Sequence, residues 1–474
     1  MHSLRLFNSL TREVETVRDS DGLVRMFTCG PTVYKTQHVG NMRTFLLSDL
    51  IVRRLQQLGR QVSWIVNITD VGHPSGDDDW NEDKLQLEAV ERRRSALEIA
   101  RQYEAEFFAD WKQLNLTPPE AFPRASEHVD EIIELVRQLE EKGYGYVAGR
   151  DVAFDVGKFP TYGELSGHQL SALRSSEETL AAGRHSPNDF ALWRGSSEGT
   201  VMEWPSPWGT GYPGWHIEDT AIAFKWLGRE LVHVHTGGQD LRFPHHEAEI
   251  AQAEAITGHR YVLNWVHGGH VVMEGRKMAK STGNVITVAT VRERIGDPLA
   301  LRWAFLSAHY RRQAQVTWES LSAAASALAS LRLERQHLGS PAEQLGSSAG
   351  EYDTKFQAYV DDDLDLPQAL TVLYAMLADS SLEKSERAAL LDRWDEVLGC
   401  DLNRPVELAV DEVPAEVREL VGARQEAREQ KDWAAADRLR AEISQHGYLL
   451  RDTSGGPVLA PLAIAPTANR ARQA

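Results

Sequence analysis

The stretch from Met26 to Ile68 does most to limit what this chain can fold into. Met26 to Cys29 is a short apolar run that stops at Gly30-Pro31, the pattern of a strand running into a turn. Phe45, Leu46, Leu47, Leu50, Ile51, Leu55 and Leu58 then recur with helical period until Gly59. Val62 to Ile68 is a second buried strand. Strand, helix and strand in this order predict a βαβ unit, which requires a parallel sheet. Such sheets bind ligands beyond the carboxyl ends of their strands. Cys29 and His38 fall at that edge, where a helix N-terminus also favours phosphate. On spacing alone an ordinary turn explains Gly, His and Asn there just as well.

At 474 residues the chain is too long for one core, so about two to four domains are expected. Its 42% hydrophobic and 25% charged residues describe a soluble globular protein. No N-terminal apolar run has the flanks of a signal peptide, and no apolar stretch approaches the length of a membrane span. Two cysteines, Cys29 and Cys400, cannot build a disulfide framework, so a reducing cytoplasm is the expected compartment. A net charge of -18 argues against broad nucleic-acid binding but permits a local basic surface.

Two stretches concentrate metal-binding side chains, Gly214 to Asp219 and Phe243 to Glu249. With Cys29, they allow a zinc set of Cys29, Asp219, His245 and Glu249: one sulfur, one nitrogen and two carboxylates. His245 and Glu249 are four apart and share one face of a helix. Taken alone, such a pair is more often a solvated helix pair. Lys277 and Lys280, in a loop after Gly275, could clamp a polyphosphate by point charge. Seen alone, they are more often two solvated lysines.

The rest of the chain sorts into blocks. Asp77 to Glu82 is an acidic run, read as solvated surface. Asp83 to Leu114 is a long helical stretch, and Ser126 to Lys142 a helix with Val129, Ile132, Ile133, Val136 and Leu139 on one stripe. Val152 to Val156 reads as a strand, and the segment on to Trp208 as loop-dominated; this block is an insertion between halves of the parallel sheet. Trp215 to Leu227, Leu231 to His235, Glu247 to Ile256 and Arg260 to Val266 resume strand and helix alternation. From Thr287 the chain is helical, with linkers at Gly339 to Gly350 and Pro405 to Pro414. Val417 to Gln445 reads as a helix pair, and Tyr448 to Leu450 with Pro457 to Leu459 as a hairpin; Thr467 to Ala474 reads as a tail.

Several short motifs stand in a fixed order. They are Cys29-Gly-Pro-Thr-Val-Tyr34, His38-x-Gly40-Asn41, Asn67-Ile-Thr-Asp-Val71, Asp189-Phe-Ala-Leu-Trp193, Ser206-Pro-Trp-Gly209, Gly214-Trp-His-Ile-Glu218, Phe243-Pro-His-His-Glu247 and Lys277-Met-Ala-Lys-Ser281. The acidic stretch Asp361 to Leu370 and the pairs Lys431 to Trp433 and Ala436 to Arg440 follow. In this order and spacing the chain resembles the cysteinyl-tRNA synthetases, a class I aminoacyl-tRNA synthetase family, nearly end to end.

The resemblance implies an α/β fold. A Rossmann-like parallel-sheet catalytic domain would span 1–115 and 210–285, with an inserted connective region at 116–209. A helical stem-contact region at 286–340, an α-helical tRNA-binding domain at 351–404 and a small C-terminal anticodon-binding-like domain at 412–474 would follow. It implies activation of L-cysteine by ATP with Mg²⁺ and transfer to tRNA(Cys), by a cytoplasmic monomer with no membrane partner. His38, Gly40, Asn41, Lys277 and Lys280 map onto the ATP-binding and catalytic positions. Gly30, Thr32, Trp215, His216, His235 and Asp240 map onto the amino-acid pocket, and Cys29, Asp219, His245 and Glu249 onto the ligands of one Zn²⁺.

Two departures stand out. Asp219 replaces a usual cysteine ligand, and Ala279 a usual serine. Asp219 keeps open a ligase that passes an amino acid to a small amine; a non-catalytic tRNA-binding paralogue is the other alternative.

Overall fold

The computed structural model describes residues 3–72, 80, 83, 85–88, 95–168, 183–198, 200–273, 276–277, 285–453 and 456–462. It opens on an antiparallel hairpin, β1 (Arg5–Asn8) and β2 (Glu13–Thr16). Then comes the expected βαβ unit: β3 (Leu23–Thr28), α1 (Val39–Gln57) and β4 (Gln61–Val66), with β3 and β4 parallel and Met26 opposite Trp64. The helix starts where it does because His38, in extended backbone, caps it by accepting from the Asn41 amide. It ends at Gly59, whose φ of +76° no helical residue could continue.

The chain then leaves the parallel sheet. Helices α2 (Ala96–Gln113) and α3 (Val129–Glu141) lead to four short strands, β5 (Gly145–Ala148), β6 (Asp151–Phe154), β7 (Phe190–Gly195) and β8 (Gly211–Pro213). They form one antiparallel sheet in the order β5-β6-β7-β8. The strand β7 corrects the loop-dominated reading of the segment up to Trp208. Phe190, Ala191, Leu192 and Trp193 are all buried, so the strand shows no polar alternation to betray it. The stripe on α3 is as expected, with Val129, Ile132, Leu135, Val136 and Leu139 buried.

The chain returns through α4 (Ile217–Leu227), β9 (Val232–Gly238), α5 (His245–Thr257) and β10 (Val262–Gly268). The four-stranded sheet has the order β10-β9-β3-β4 and is parallel throughout. Its face carrying Phe27, Ile65 and Trp265 packs with Ile217, Ile222 and Ile250 of α4 and α5 and the buried stripe of α3. Trp64, on alternate register, joins Trp111 and Phe45 of α1 on the other face. Strand order reverses around β3, so the carboxyl ends of β3 and β9 make the crevice where a sheet of this type binds ligands. Residues 1–111, 117–270 and 361–364 form this first compact unit.

The second unit holds 112–116, 271–360 and 365–474. It begins with β11 (Val271–Met273) and β12 (Arg276–Lys277), which join β13 (Ala314–Val316) in the order β12-β11-β13. Lys277 therefore stands in a paired strand opposite Val272, not in the loop expected; Lys280 lies outside the described residues. So does most of the acidic run at 77–82. Helices α6 (Val288–Ile295), α7 (Leu299–Leu306), α8 (Trp318–Leu338), α9 (Ser347–Asp361), α10 (Leu366–Ala378) and α11 (Lys384–Leu398) follow. The helix α9 starts inside the stretch read as a Gly/Ser linker. The helix pair α12 (Ala415–Glu429) and α13 (Trp433–Gln445) and the hairpin β14 (Tyr448–Thr453) and β15 (Gly456–Pro461) are as expected. No described helix is long and apolar enough to cross a membrane.

Candidate functional site

Four hydroxyl and indole groups tie the strand ends of the first unit together. Thr28 Oγ1 and Thr236 Oγ1 lie 2.7 Å apart, Ser48 Oγ is 2.7 Å from Thr236 Oγ1, and Trp64 Nε1 donates to Thr28 Oγ1 at 2.9 Å. Cys29 leaves β3 from this fixed point, its amide donating to the Thr236 carbonyl at 3.2 Å. Its Sγ faces His246 Nε2 at 3.1 Å, His235 Nε2 at 3.4 Å and Glu249 Oε1 at 3.7 Å.

The other donors come from two helix starts. Asp219 sits in the first turn of α4, where the helix dipole favours an anion. His245 and Glu249 lie in the first two turns of α5, one turn apart on one face, as their spacing predicts. His245 Nε2 is 3.2 Å from Asp219 Oδ2 and 3.3 Å from Glu249 Oε1. Ligand atoms of Cys29, Asp219, His245 and Glu249 all lie within 4.8 Å of one another, and all four residues are buried. Donors held at tetrahedral corners about 2.0–2.3 Å from an ion would stand roughly 3.3–3.8 Å apart, close to these separations. A second buried set, Cys29, His235, His246 and Glu249, meets the same distance test and shares two members with the first.

The electrostatics point the same way. Burial, then the charges of Glu249 and Asp219, push the Cys29 thiol well above its ordinary value. Burial and then Asp219 push Glu249 up as well. The ion-pair partners of Glu249 are imidazoles, and burial holds His235 and His246 well below the usual histidine range, hence neutral. The buried Cys29 thiol and Glu249 carboxyl, without full cationic compensation, must keep protons or take a metal. The donor set fits a divalent ion.

Around the four donors stand several residues expected in the amino-acid pocket. The Gly30 amide donates to Asn67 Oδ1 at 2.7 Å, and a Cβ on Gly30 would lie 1.5 Å from the Asn67 carbonyl oxygen, so only glycine fits. The Trp215 ring is 4.5 Å from that of His245. His216 is fully buried, its Nδ1 2.8 Å from His245 Nδ1, so it orients the ligand imidazole. His235 in β9 stacks on Trp265 at 4.4 Å. Thr32 is half-buried and bridged to Thr69, and Asp240 is exposed in the short 3-10 helix Gln239–Arg242 after β9. His38 Nδ1 accepts from the Asn41 amide at 3.2 Å, which puts the ring proton on Nε2 and makes that nitrogen a donor. Gly40 and Asn41 lie in the first turn of α1.

Three sets of polar contacts escaped the sequence reading, although several of their residues stand in its motifs. Asn67 donates from Nδ2 to Asp219 Oδ1 at 2.6 Å. His246 Nδ1 contacts His267 Nε2 at 2.8 Å, and His267 Nδ1 contacts Ser9 Oγ at 2.8 Å. Thr69 Oγ1 donates to the buried Glu218 at 2.8 Å. Motif membership marked Asn67, Thr69, Glu218 and His246 but gave none of them a role, and His267 and Ser9 stand in no motif.

Comparison with known proteins is consistent along the chain. A family model of the class I (C) tRNA synthetase catalytic domain matches residues 15–326. A model of the cysteinyl-tRNA ligase anticodon binding domain matches residues 410–456. Cysteine-tRNA ligase 1 of Burkholderia lata is 41% identical over 446 residues, covering 94% of this chain and 93% of its own length. The cysteine-tRNA ligase of Thermus thermophilus is 38% identical, covering 92% of this chain and 94% of its own. That of Methanosarcina mazei is 36% identical, covering 96% and 98%. Among solved structures, Mycobacterium tuberculosis methionyl-tRNA synthetase in complex with methionyl-adenylate superposes with a TM-score of 0.56 over 94% of this chain and 98% of that one. At 14% identity that likeness is one of fold.

Proposed function

The chain belongs to the cysteinyl branch of the class I tRNA synthetases, and from that membership we propose that it activates L-cysteine with ATP and transfers it to tRNA(Cys). The amino-acid carboxylate attacks the α-phosphate, pyrophosphate leaves, and a terminal ribose hydroxyl of the tRNA then attacks the activated carbonyl and expels AMP. Positioning and charge stabilisation dominate phosphoryl chemistry of this kind. His38 offers its Nε2–H to phosphate oxygens as charge develops, and Gly40 and Asn41 at the start of α1 complete the cradle. Lys277 and Lys280 neutralise the departing pyrophosphate, which Mg²⁺ accompanies.

The observation that carries the reading is the buried cluster of Cys29, Asp219, His245 and Glu249 at the carboxyl ends of a parallel sheet. Cysteine differs from serine by one atom, and an apolar pocket separates such pairs by only about 1–3 kcal/mol. Zinc bound there supplies a soft Lewis acid with affinity for a thiolate that a hydroxyl cannot match. The first ligand set is favoured over the set with His235 and His246, because the second would leave the Asp219 carboxylate buried without a cation. His235 and His246 then stay neutral beside Cys29. With Gly30, Thr32, Trp215, His216 and Asp240, His235 frames the amino acid.

The test is metal analysis of the purified chain, cysteine-dependent ATP–pyrophosphate exchange with serine and alanine as competitors, and charging of a tRNA(Cys) transcript. About one zinc per chain, exchange selective for cysteine and charging of the transcript are expected. A metal-free native enzyme indifferent to cysteine would sink the zinc reading. Exchange without charging would assign the acceptor to a small amine instead.

A further inference from the structure

The geometry points to Asn67 as the positioning residue that makes Asp219 a ligand through one oxygen, a role this chain needs because it carries a carboxylate at that position. The inference rests on the zinc reading above. Asn67 follows β4 directly, on the rigid end of the sheet. Its Oδ1 accepts from the Gly30 amide at 2.7 Å, which fixes which end of the side-chain amide is oxygen and which is nitrogen. Nδ2 is therefore aimed at Asp219 Oδ1, 2.6 Å away, and reaches Thr69 Oγ1 at 3.3 Å. Both ends of the amide are spoken for, so it cannot turn without breaking a buried hydrogen bond.

The consequence falls on Asp219, which is 1% exposed. One of its oxygens is committed to Asn67. The other, Oδ2, faces His245 Nε2 at 3.2 Å, on the side of the other donors. A buried carboxylate without the amide would have an unsatisfied oxygen and freedom to rotate, swinging both oxygens toward the ion or neither. A cysteine at 219 would present a single sulfur, a weak acceptor with nothing to orient, and would draw little from the same amide. Asn67 is thus the outer partner that adapts the site to aspartate. It also joins Asp219 to the backbone of Gly30, the residue after Cys29, so two ligands from different elements are held through one side chain.

The experiment is a double-substitution cycle read as metal affinity, not as activity. Zinc dissociation constants are measured by competition with a chromophoric chelator for the full chain, Asn67→Ala, Asp219→Cys and the double variant. Cobalt(II) absorption spectra are taken alongside. In the Asp219 chain, Asn67→Ala should weaken zinc by about 10–100-fold and alter the cobalt ligand-field bands. In the Asp219→Cys background the same change should cost less than about threefold. Should Asn67→Ala fail to fold, Asn67→Leu carries the test. It keeps the branched shape of the amide without a charge, has no donor for Asp219, and is expected to weaken zinc in the same background-dependent way. An equal loss in both backgrounds would make Asn67 merely structural and overturn the proposal, as would no loss in the Asp219 chain. Asp219→Ala with zinc affinity unchanged would instead remove Asp219 from the ligand set, and the proposal with it.

Discussion

Cys29 holds its proton in the metal-free pocket because burial and two carboxylates oppose the thiolate, and Glu249 resists ionisation for related reasons. Metal uptake near neutral pH must therefore expel protons. Calorimetry of zinc binding at pH 7 in buffers of different ionisation enthalpy should show release of roughly one proton or more per ion; none released would mean the thiol is not a ligand. His267 makes a separate prediction. Burial, then Arg242, drives it down to about 3. Its folded value lies below the unfolded value of about 6.5, so its contribution to stability is full above that pH and is lost as pH falls toward 3. The loss approaches about 1.4 kcal/mol per pH unit. Urea unfolding at pH 7, 6 and 5 should show His267→Gln flattening the slope, by a difference that grows as pH falls and approaches about one proton at pH 5.

At the scale of elements, the junction of β3 and β4 is the tightest constraint on the site. Gly30→Ala would drive a methyl into the Asn67 carbonyl, backbone against backbone, and should cost about 3 kcal/mol or more. Gly143→Ala, at φ +82° with nothing within 4 Å of the added carbon, should cost only about 1–2 kcal/mol. Urea midpoints of the two variants check the contrast, and equal costs would mean the β3 end yields easily. The same elements explain what the sequence disclosed. Periodicity exposed the stripe of α3, which buries one face, and it exposed α1 through its leucines although Phe45 to Val52 are buried all round. It hid β7, buried on both faces, and it hid the pairing of Lys277 in β12, a strand of two residues. The four donors come from the end of β3 and the starts of α4 and α5, so spacing gave only the His245–Glu249 pair, and the motif order supplied the rest. Asn67 was marked by its motif but given no role, because an amide after a strand has no periodic signature; its meaning lies in Gly30 and Asp219, thirty-seven and one hundred and fifty-two residues from it.

For the whole molecule, a net charge of -18 sets the terms on which a polyanion such as tRNA can bind. Contacts must be local, and binding must weaken with salt as counterions are displaced. The module that matches the anticodon-binding model has its own small core of Val413, Val417, Val421, Ile443, Leu450 and Leu459. In the same module Trp433, the first residue of α13, is 60% exposed and follows the capping residue Asp432. An indole that buries so little adds little to stability, so its removal should leave the fold intact. Stacked on an unpaired base, it would contribute about 1–3 kcal/mol. Trp433→Ala should therefore leave cysteine-dependent ATP–pyrophosphate exchange unchanged and lower kcat/KM for tRNA charging by roughly 5- to 150-fold. Raising salt should lower charging of both proteins, since phosphate contacts do not depend on the indole. Equal loss of exchange and charging would show that the substitution harms the enzyme as a whole, and unchanged charging would exclude Trp433 from tRNA recognition.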